Sequence, residues 1–537
     1  MIWEKGWREA LWAELKNNPQ FDLIIVGGGI TGAGILREAS RVGIRALLVE
    51  QGDFASGTSS RSSKLVHGGM RYLKTGQWGL TLESVRERKK LLKEAGGLVS
   101  EQGFVTAMFS DRKPGWWMIK LGMIIYDIMA RQRRFLTLLP DALLWRVPRL
   151  RATHLRGGFW HPDAQTDDVR LTLRVLAESR ADGGQCLNYA RATELLFENS
   201  EVTGLRVQDR ESGDNLNLKA RLVINAAGAW CDRLRMQVGG NARLRPLRGS
   251  HLMFDYADLP CAEAVAFFHP DDRRAVFLVP WDGRVLLGTT DIDHNADLDQ
   301  EPRCTAEEAD YLLRAANFLF PGLNLRLEQA VASYAGVRPV VSSGQQVNPS
   351  SESREHALWQ EKGLLSITGG KLTTFRKTAF EVLAAARKQW PEMPMPDSNT
   401  PALAAVNIPG YHHKLSGGAL KRLYARYGQL ADELLAKAEM EHMQRIENTD
   451  YIWAELAWSA QHEAVVHLQD LLLRRCRLGF LLRDGGVGLL PKIQPLCQPL
   501  LGWDDARWKQ EARSYAAQWQ ANYAPIPKPA VATEAGA

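Results

Sequence analysis

Residues 21–72 read FDLIIVGGGITGAGILREASRVGIRALLVEQGDFASGTSSRSSKLVHGGMRY. The apolar run Leu23-Ile24-Ile25-Val26 has the length and branching of a buried strand, and it stops at Gly27-Gly28-Gly29. Helix formers follow over 30–42, and 45–49 is a second short apolar run closed by Glu50. The order strand, glycine turn, helix, strand is one parallel unit with the helix as its crossover.

Within Gly27-x-Gly29-x-x-Gly32 each glycine has its own task. Gly27 permits the tight turn, Gly29 lets the backbone approach a pyrophosphate, and Gly32 lets the helix lie close to the strand. Amides at the helix start, backed by the positive end of its dipole, would then face phosphates. Glu50 stands eighteen positions after Gly32, where an acid accepts from ribose hydroxyls. An acid there disfavours a 2′-phosphate, so FAD or NAD is expected before NADP.

The rest of the stretch, from Thr58 to Tyr72, sets hydroxyls and glycines directly after that acid. Such a loop would run along the cofactor towards its reactive ring, with Lys64 and His67 as donors. A solvated loop would explain the serines but not Leu65-Val66 or Met70-Arg71-Tyr72. The segment SSKLVHGGMRYL resembles the signature of the flavin-dependent glycerol-3-phosphate dehydrogenases, within the larger group of FAD oxidoreductases related to D-amino-acid oxidase. The resemblance implies FAD as cofactor, held by Gly27, Gly29, Gly32, Glu50, Thr58, Ser59, Ser63, Lys64, Leu65 and His67. It spans roughly 21–520 and is strongest at 22–73, 331–341 and 364–377.

The totals agree with an ordinary soluble protein of more than one domain. A chain of 537 residues can bury a large core in more than one domain. A net charge of +6 is small for that length; it suits an anionic membrane or substrate, and no nucleic-acid module accompanies it. Cys186, Cys231, Cys261, Cys304, Cys476 and Cys497 form neither a CxxC nor a metal-like cluster, so no metal is expected and the thiols read as buried or incidental in a reducing compartment. The amino-terminal segment shows no signal-peptide core, which points away from export.

Along the chain, 2–16 spaces Trp3, Trp7, Leu11, Trp12 and Leu15 as an amphipathic helix, to dock on the body of the protein or lie in a membrane interface. A charged helix is expected over 76–95. Trp116 to Met129 is strongly apolar, but Lys120 and Asp127 interrupt it and it falls short of the ~20 residues of a membrane span. A core helix and an interfacial one both fit; the following Arg131-Gln132-Arg133-Arg134 tilts towards a monotopic patch on an anionic leaflet. A helical pattern opened by Asp167-Asp168-Val169-Arg170 and running to Ala181, antiparallel strands around 186–209 and a buried strand at 221–230 come next. Beta-rich stretches between Pro246 and Asp293 suggest an antiparallel floor for a substrate cavity. A helix over 307–320 follows, then a strand at 331–341 interrupted by Gly336-Val337-Arg338-Pro339. Residues 364–377 repeat the opening logic of strand, glycines and helix, and GGKLTT resembles the family's second flavin-binding segment, which implies contacts from Gly370, Leu372 and Thr373.

The expected class is α/β: a Rossmann-like FAD-binding domain (21–95, 150–240 and 330–390), an antiparallel β-sheet substrate domain (96–149 and 241–329) and a helical C-terminal domain (400–523). An amphipathic extension (1–20) and a disordered tail (524–537) flank them.

The substrate implied by the resemblance is sn-glycerol 3-phosphate, a dianion that calls for fixed cations. Arginine forks bind two phosphate oxygens at once, and Arg71, Arg338 and Arg354 are the expected set. Oxidation at C2 also requires removal of the hydroxyl proton. His251 in RGSH is the candidate base because imidazole titrates near neutrality, with His67 its rival, while Lys371 and Tyr72 are candidates to position hydroxyls or phosphate. Electrons would pass to ubiquinone or a similar quinone from a cytoplasmic enzyme peripherally attached to the inner face of the cell membrane; assembly as a homodimer is left open. The rival readings are a related flavin enzyme acting on an amino or hydroxy acid, and a flavin-binding protein without catalysis.

Overall fold

The computed structural model describes residues 3–69, 77–113, 115–344, 349, 352 and 354–525. The strand Gln20–Val26 lies at the centre of the first sheet, parallel to Ala46–Val49 on one side and Asn215–Asn225 on the other. Parallel order continues outwards to Gln185–Leu187 and Leu364–Thr368. Because both faces are covered, these strands are continuous Val, Ile and Leu runs. The helices Ile30–Ser40, Asp168–Ala181 and Phe375–Gln389 pack side by side above Leu23, Ile25, Leu48 and Ile224. Residues 185–187, expected among antiparallel strands, instead extend the parallel sheet; a strand entered from a crossover helix takes that direction. The antiparallel hairpin begins at Ala190.

The helix Trp7–Asn17 docks on this domain. Trp3, Leu11, Trp12 and Leu15 are buried, and Arg8 donates to both carboxylate oxygens of Asp209 at 2.8 Å, so the apolar stripe faces protein.

The second sheet is antiparallel except where Ala264–Phe268 runs parallel to Val99–Phe109. Two strands expected in the cofactor domain, Leu155–Thr166 and Ala330–Val341, belong to this sheet. Neither has helices on both faces, and each pairs over nearly its whole length with a strand of the substrate side, which fixes its place. Ala330–Val341 also runs unbroken through Gly336–Pro339, because its partner Leu244–Asp255 stays in register from Leu244 to Met253. The helix Trp116–Ala130 lies against this sheet through Met123 and Tyr126 and against Val85 of the helix Trp78–Glu94 through Ala130, with the Trp116 ring tilted 4.5 Å from Phe159. Its opposite face is bare: Trp117 is 71% exposed, Leu121 58%, Ile124 38% and Ile128 69%. Among the described residues no helix is long and apolar enough to cross a membrane.

Past the linker that ends near Pro401, the chain is helical and clamps the other units. Tyr523 and Ala524 are buried, and the Tyr523 carbonyl accepts from the Ser333 amide at 2.7 Å, so Ala524 is packed core where a tail was expected. Asp53, just past the glycine-rich unit, lies under Arg474 and Arg475 of this domain, with Arg475 bidentate at 2.6 and 2.7 Å. Burial alone would raise the Asp53 carboxyl, but the two guanidinia bring it down to about 2. Its unfolded pKa is about 3.9, so this contribution is present above pH 4 and lost as pH falls from about 4 towards 2. Asp53→Asn leaves two buried guanidinia undercompensated. The expected cost is about 3–5 kcal/mol, measured as an earlier urea midpoint at neutral pH, and the gap between wild type and variant should narrow in acid.

Candidate active site

The glycine turn is shaped by contacts that exclude side chains. Gly27 has φ +114°, and a Cβ there would sit 2.5 Å from the Ala226 carbonyl oxygen. A Cβ on Gly32 would meet the Gly27 oxygen at 1.9 Å, which is the close helix-to-strand packing the motif requires. Ser59 Oγ accepts from the Ile30 amide at 2.9 Å and so ties the later loop to the start of the helix beside Gly29. Glu50 accepts from the amides of Gly28 (2.6 Å) and Gly52 (2.8 Å), which places its carboxylate under the turn; burial raises its pKa against the pull of those amides.

The loop 58–69 is pinned from below by Asp168, the first residue of its helix. Asp168 accepts from the Ser62 amide (3.0 Å), Ser62 Oγ (2.7 Å), Lys64 Nζ (2.8 and 2.9 Å) and Arg477 (3.3 Å). The Lys64 side chain was expected to reach the cofactor. Instead it is wholly buried in this cluster, also donating to the Ser60 carbonyl, and burial together with Arg477 lowers its amine to about 7 against the pull of Asp168. From above, the loop touches the second sheet: Thr58 Oγ1 donates to the Val337 carbonyl (2.6 Å), Tyr334 donates to the Ser62 carbonyl (2.7 Å), and Ser63 Oγ lies 2.9 Å from His251 Nε2. Leu65 bridges to Gln165, and His67 is half-buried. The Gly68 amide donates to Asp163 at 3.2 Å, and Arg88 holds that carboxylate at 2.6 Å.

His251 does not titrate near neutrality as its residue type suggests. It is buried, stacked 4.7 Å from Tyr334, and burial with the nearby Arg338 and Lys64 holds its pKa well below the usual value. It is a neutral imidazole whose Nδ1 lacks a partner among the described residues. Lys371, like Lys64, is brought close to neutrality: burial lowers its amine to about 7, with Glu83 and Glu355 opposing, while it donates to Ser84 Oγ at 2.8 Å. The turn that carries it, Gly369 and Gly370, lies against Glu355 and His356, and Leu372 and Thr373 continue into the helix Phe375–Gln389.

Arg338 and Arg354, expected as phosphate-binding cations, are bridged by one acid. Asp291 accepts from Arg338 at 3.2 Å and from Arg354 at 2.7 Å. Asp291 escaped sequence reasoning, although a polar Thr-Thr-Asp ending an apolar strand was a signal that it had left the core for a site. Arg71 and Tyr72 lie outside the described residues.

The family model described as FAD dependent oxidoreductase matches residues 22–376, and that of the C-terminal domain of alpha-glycerophosphate oxidase matches 375–508. The chain is a member of the FAD-dependent oxidoreductase family. It is 33% identical over 495 residues to the aerobic glycerol-3-phosphate dehydrogenases of Staphylococcus haemolyticus (strain JCSC1435) and Staphylococcus aureus (strain USA300), covering 87% of this chain and 88% of each relative. A solved glycerol-3-phosphate dehydrogenase from Bacillus halodurans, complexed with FAD, matches with TM-score 0.78 and 26% identity over 99% of this chain and 100% of that one. Glycine oxidase from Geobacillus kaustophilus shares the fold at TM-score 0.53 and 22% identity, over 72% and 99%.

FAD is the cofactor of this family, and the turn fits it. The glycines leave room for a pyrophosphate against the helix start, and the anchored Glu50 carboxylate suits a ribose. Gly32→Ala should therefore impair cofactor retention: an overpacking cost of about 1–3 kcal/mol weakens binding by roughly 10- to 100-fold, measured as flavin absorbance per protein after gel filtration.

Proposed function

We propose that this chain oxidises sn-glycerol 3-phosphate at C2 to dihydroxyacetone phosphate, with the electrons passing to ubiquinone or a similar quinone. The observation that carries the reading is the meeting of Arg338 and Arg354, sixteen positions apart in sequence, beside a loop of cofactor-binding character that touches the same strand at Val337. Paired guanidinia match the geometry of a phosphate dianion, and curated relatives are named for this activity. Bound FAD supplies the two-electron acceptor. The remaining work falls to the chain. Arg338 and Arg354, with Arg71 and Tyr72, bind and orient the phosphate, and the C2 hydroxyl proton passes to a nearby base. His251 is available through Ser63 Oγ as a neutral acceptor, while Lys371 has the pKa suited to proton transfer near neutral pH.

Anaerobic addition of sn-glycerol 3-phosphate should bleach the oxidised flavin, whereas amino acids should not; a spectrum unchanged by the phosphate ester would overturn the reading. Arg338→Ala should retain flavin but lose about 100-fold or more in kcat/KM, the consequence of removing a charged partner worth roughly 2–5 kcal/mol. Lys371 accepts a proton only when neutral. If it is the base, the rate of flavin reduction rises with pH through about 7 and Lys371→Met abolishes that rise; a profile unchanged by this substitution assigns the step to His251.

The bare face of Trp116–Ala130 supports peripheral attachment to the inner face of the cell membrane. Trp117, Leu121, Ile124 and Ile128 recur at helical spacing as one apolar stripe, and exposed Arg131 and Arg133 follow. Sedimentation with anionic vesicles should carry the protein down, less so at high salt, and Leu121→Glu combined with Ile128→Glu should leave it in the supernatant.

A further inference from the structure

Asp291 sits where a phosphate-binding pocket would be expected to exclude negative charge. Its side chain is 3% exposed, and each of its carboxylate oxygens accepts from a different guanidinium, Arg338 at 3.2 Å and Arg354 at 2.7 Å. Burial alone would raise its pKa, but Arg338, Arg354 and Arg274 lower it, so the carboxylate is ionised across the neutral range.

The acid is held rigidly by its neighbours. Thr290 Oγ1 accepts from the Ser250 amide at 2.9 Å and donates to buried Glu308 at 2.6 Å, and Thr289 Oγ1 accepts from Arg338 at 3.1 Å. The pair it clamps also has no room to drift towards the sheet. A Cβ added to Gly249 would lie 2.4 Å from both terminal nitrogens of Arg338, so that guanidinium lies flat on the Leu244–Asp255 strand. One donor is left over: Arg354 Nη1 is buried and has no hydrogen-bond partner among the described residues. A buried unpaired N–H of a charged group is costly, which marks it as awaiting an acceptor.

We propose that Asp291 is a positioning residue for the substrate phosphate: its carboxylate bridges Arg338 and Arg354 into a preformed pair and leaves Arg354 Nη1 directed to a phosphate oxygen. Two like-charged guanidinia would otherwise repel, and each long side chain would have to be ordered when the substrate arrives. Asp291 meets that requirement in advance, at the folding stage, so that binding orders less.

The inference rests on the glycerol 3-phosphate reading, and the test separates the two. If wild-type protein carrying FAD is not reduced anaerobically by sn-glycerol 3-phosphate, that reading fails. If it is reduced, Asp291→Asn should raise KM by about 10-fold or more, the loss of a charge-assisted contact, while kcat falls less and flavin content stays at the wild-type level. Asp291→Glu, which keeps the charge on a longer arm, should lie between the two. Combined with Arg354→Ala, Asp291→Asn should add little further loss, because Asp291 acts through that arginine. An unchanged KM in Asp291→Asn, a fall in kcat alone, or fully additive losses in the double variant would each overturn the proposal. Should Asp291→Asn fail to fold, the same KM-selective shift is read from Asp291→Glu, and its absence there is equally fatal.

Discussion

The carboxylate of Asp168 is the constraint on which the site depends. It is fully buried, and a buried anion is tolerated only when its partners are complete. Here the partners are two donors from Ser62, the Lys64 ammonium and Arg477, with the Val169 amide closing the set. Satisfying that one acid folds the loop after Glu50 into a single shape. The shape then decides which groups meet: Thr58 reaches Val337, Ser63 reaches His251, and the Ser62 carbonyl receives Tyr334. An acid at the start of a helix in the first domain thereby places a loop on the second sheet.

The C-terminal domain works as a clamp around this arrangement. Arg474 and Arg475 close over Asp53, Arg477 over Asp168, and Arg170 of the cofactor domain pairs with Glu463 in return. These pairs are desolvated on both sides, so they contribute little net stability, but losing one partner strands a charge. That asymmetry makes them a device for fixing geometry. A related chain of contacts joins the helix with the exposed apolar face to the loop 58–69. Tyr126 and Arg88 share Asp163, and Asp163 holds the Gly68 amide. The helix that carries this bare face and the conformation of the loop therefore share one buried network.

Much of this was legible in the residues. The Gly27-Gly29-Gly32 spacing with Glu50 announced the nucleotide turn because each position answers a local steric demand that no other residue meets. The helices near 30–40 and 375–389 followed from helix-forming runs after glycine turns, and the one at 168–181 from the acids that open it. Local pattern misled where pairing partners are remote. Gly336 to Pro339 reads as a break, yet the strand continues because Leu244–Asp255 supplies its hydrogen bonds. Leu155–Thr166 and Ala330–Val341 look like parts of the cofactor domain by position, and only sheet order assigns them to the other. Lys64 reads as a donor to the cofactor, and His251 as an ordinary imidazole; burial, which no local pattern encodes, redirected the first and neutralised the second.

By itself the sequence determined the nucleotide turn, the class of the fold and the arginines suited to an anion, since these depend on backbone sterics and side-chain chemistry within a few residues of one another. Only the tertiary structure decided that Arg338 and Arg354 share Asp291, that Ser63 faces His251, and that the amine of Lys371 comes down to about 7. Those outcomes depend on distance and desolvation between segments separated by tens to hundreds of residues, and such quantities exist only once the chain has closed on itself.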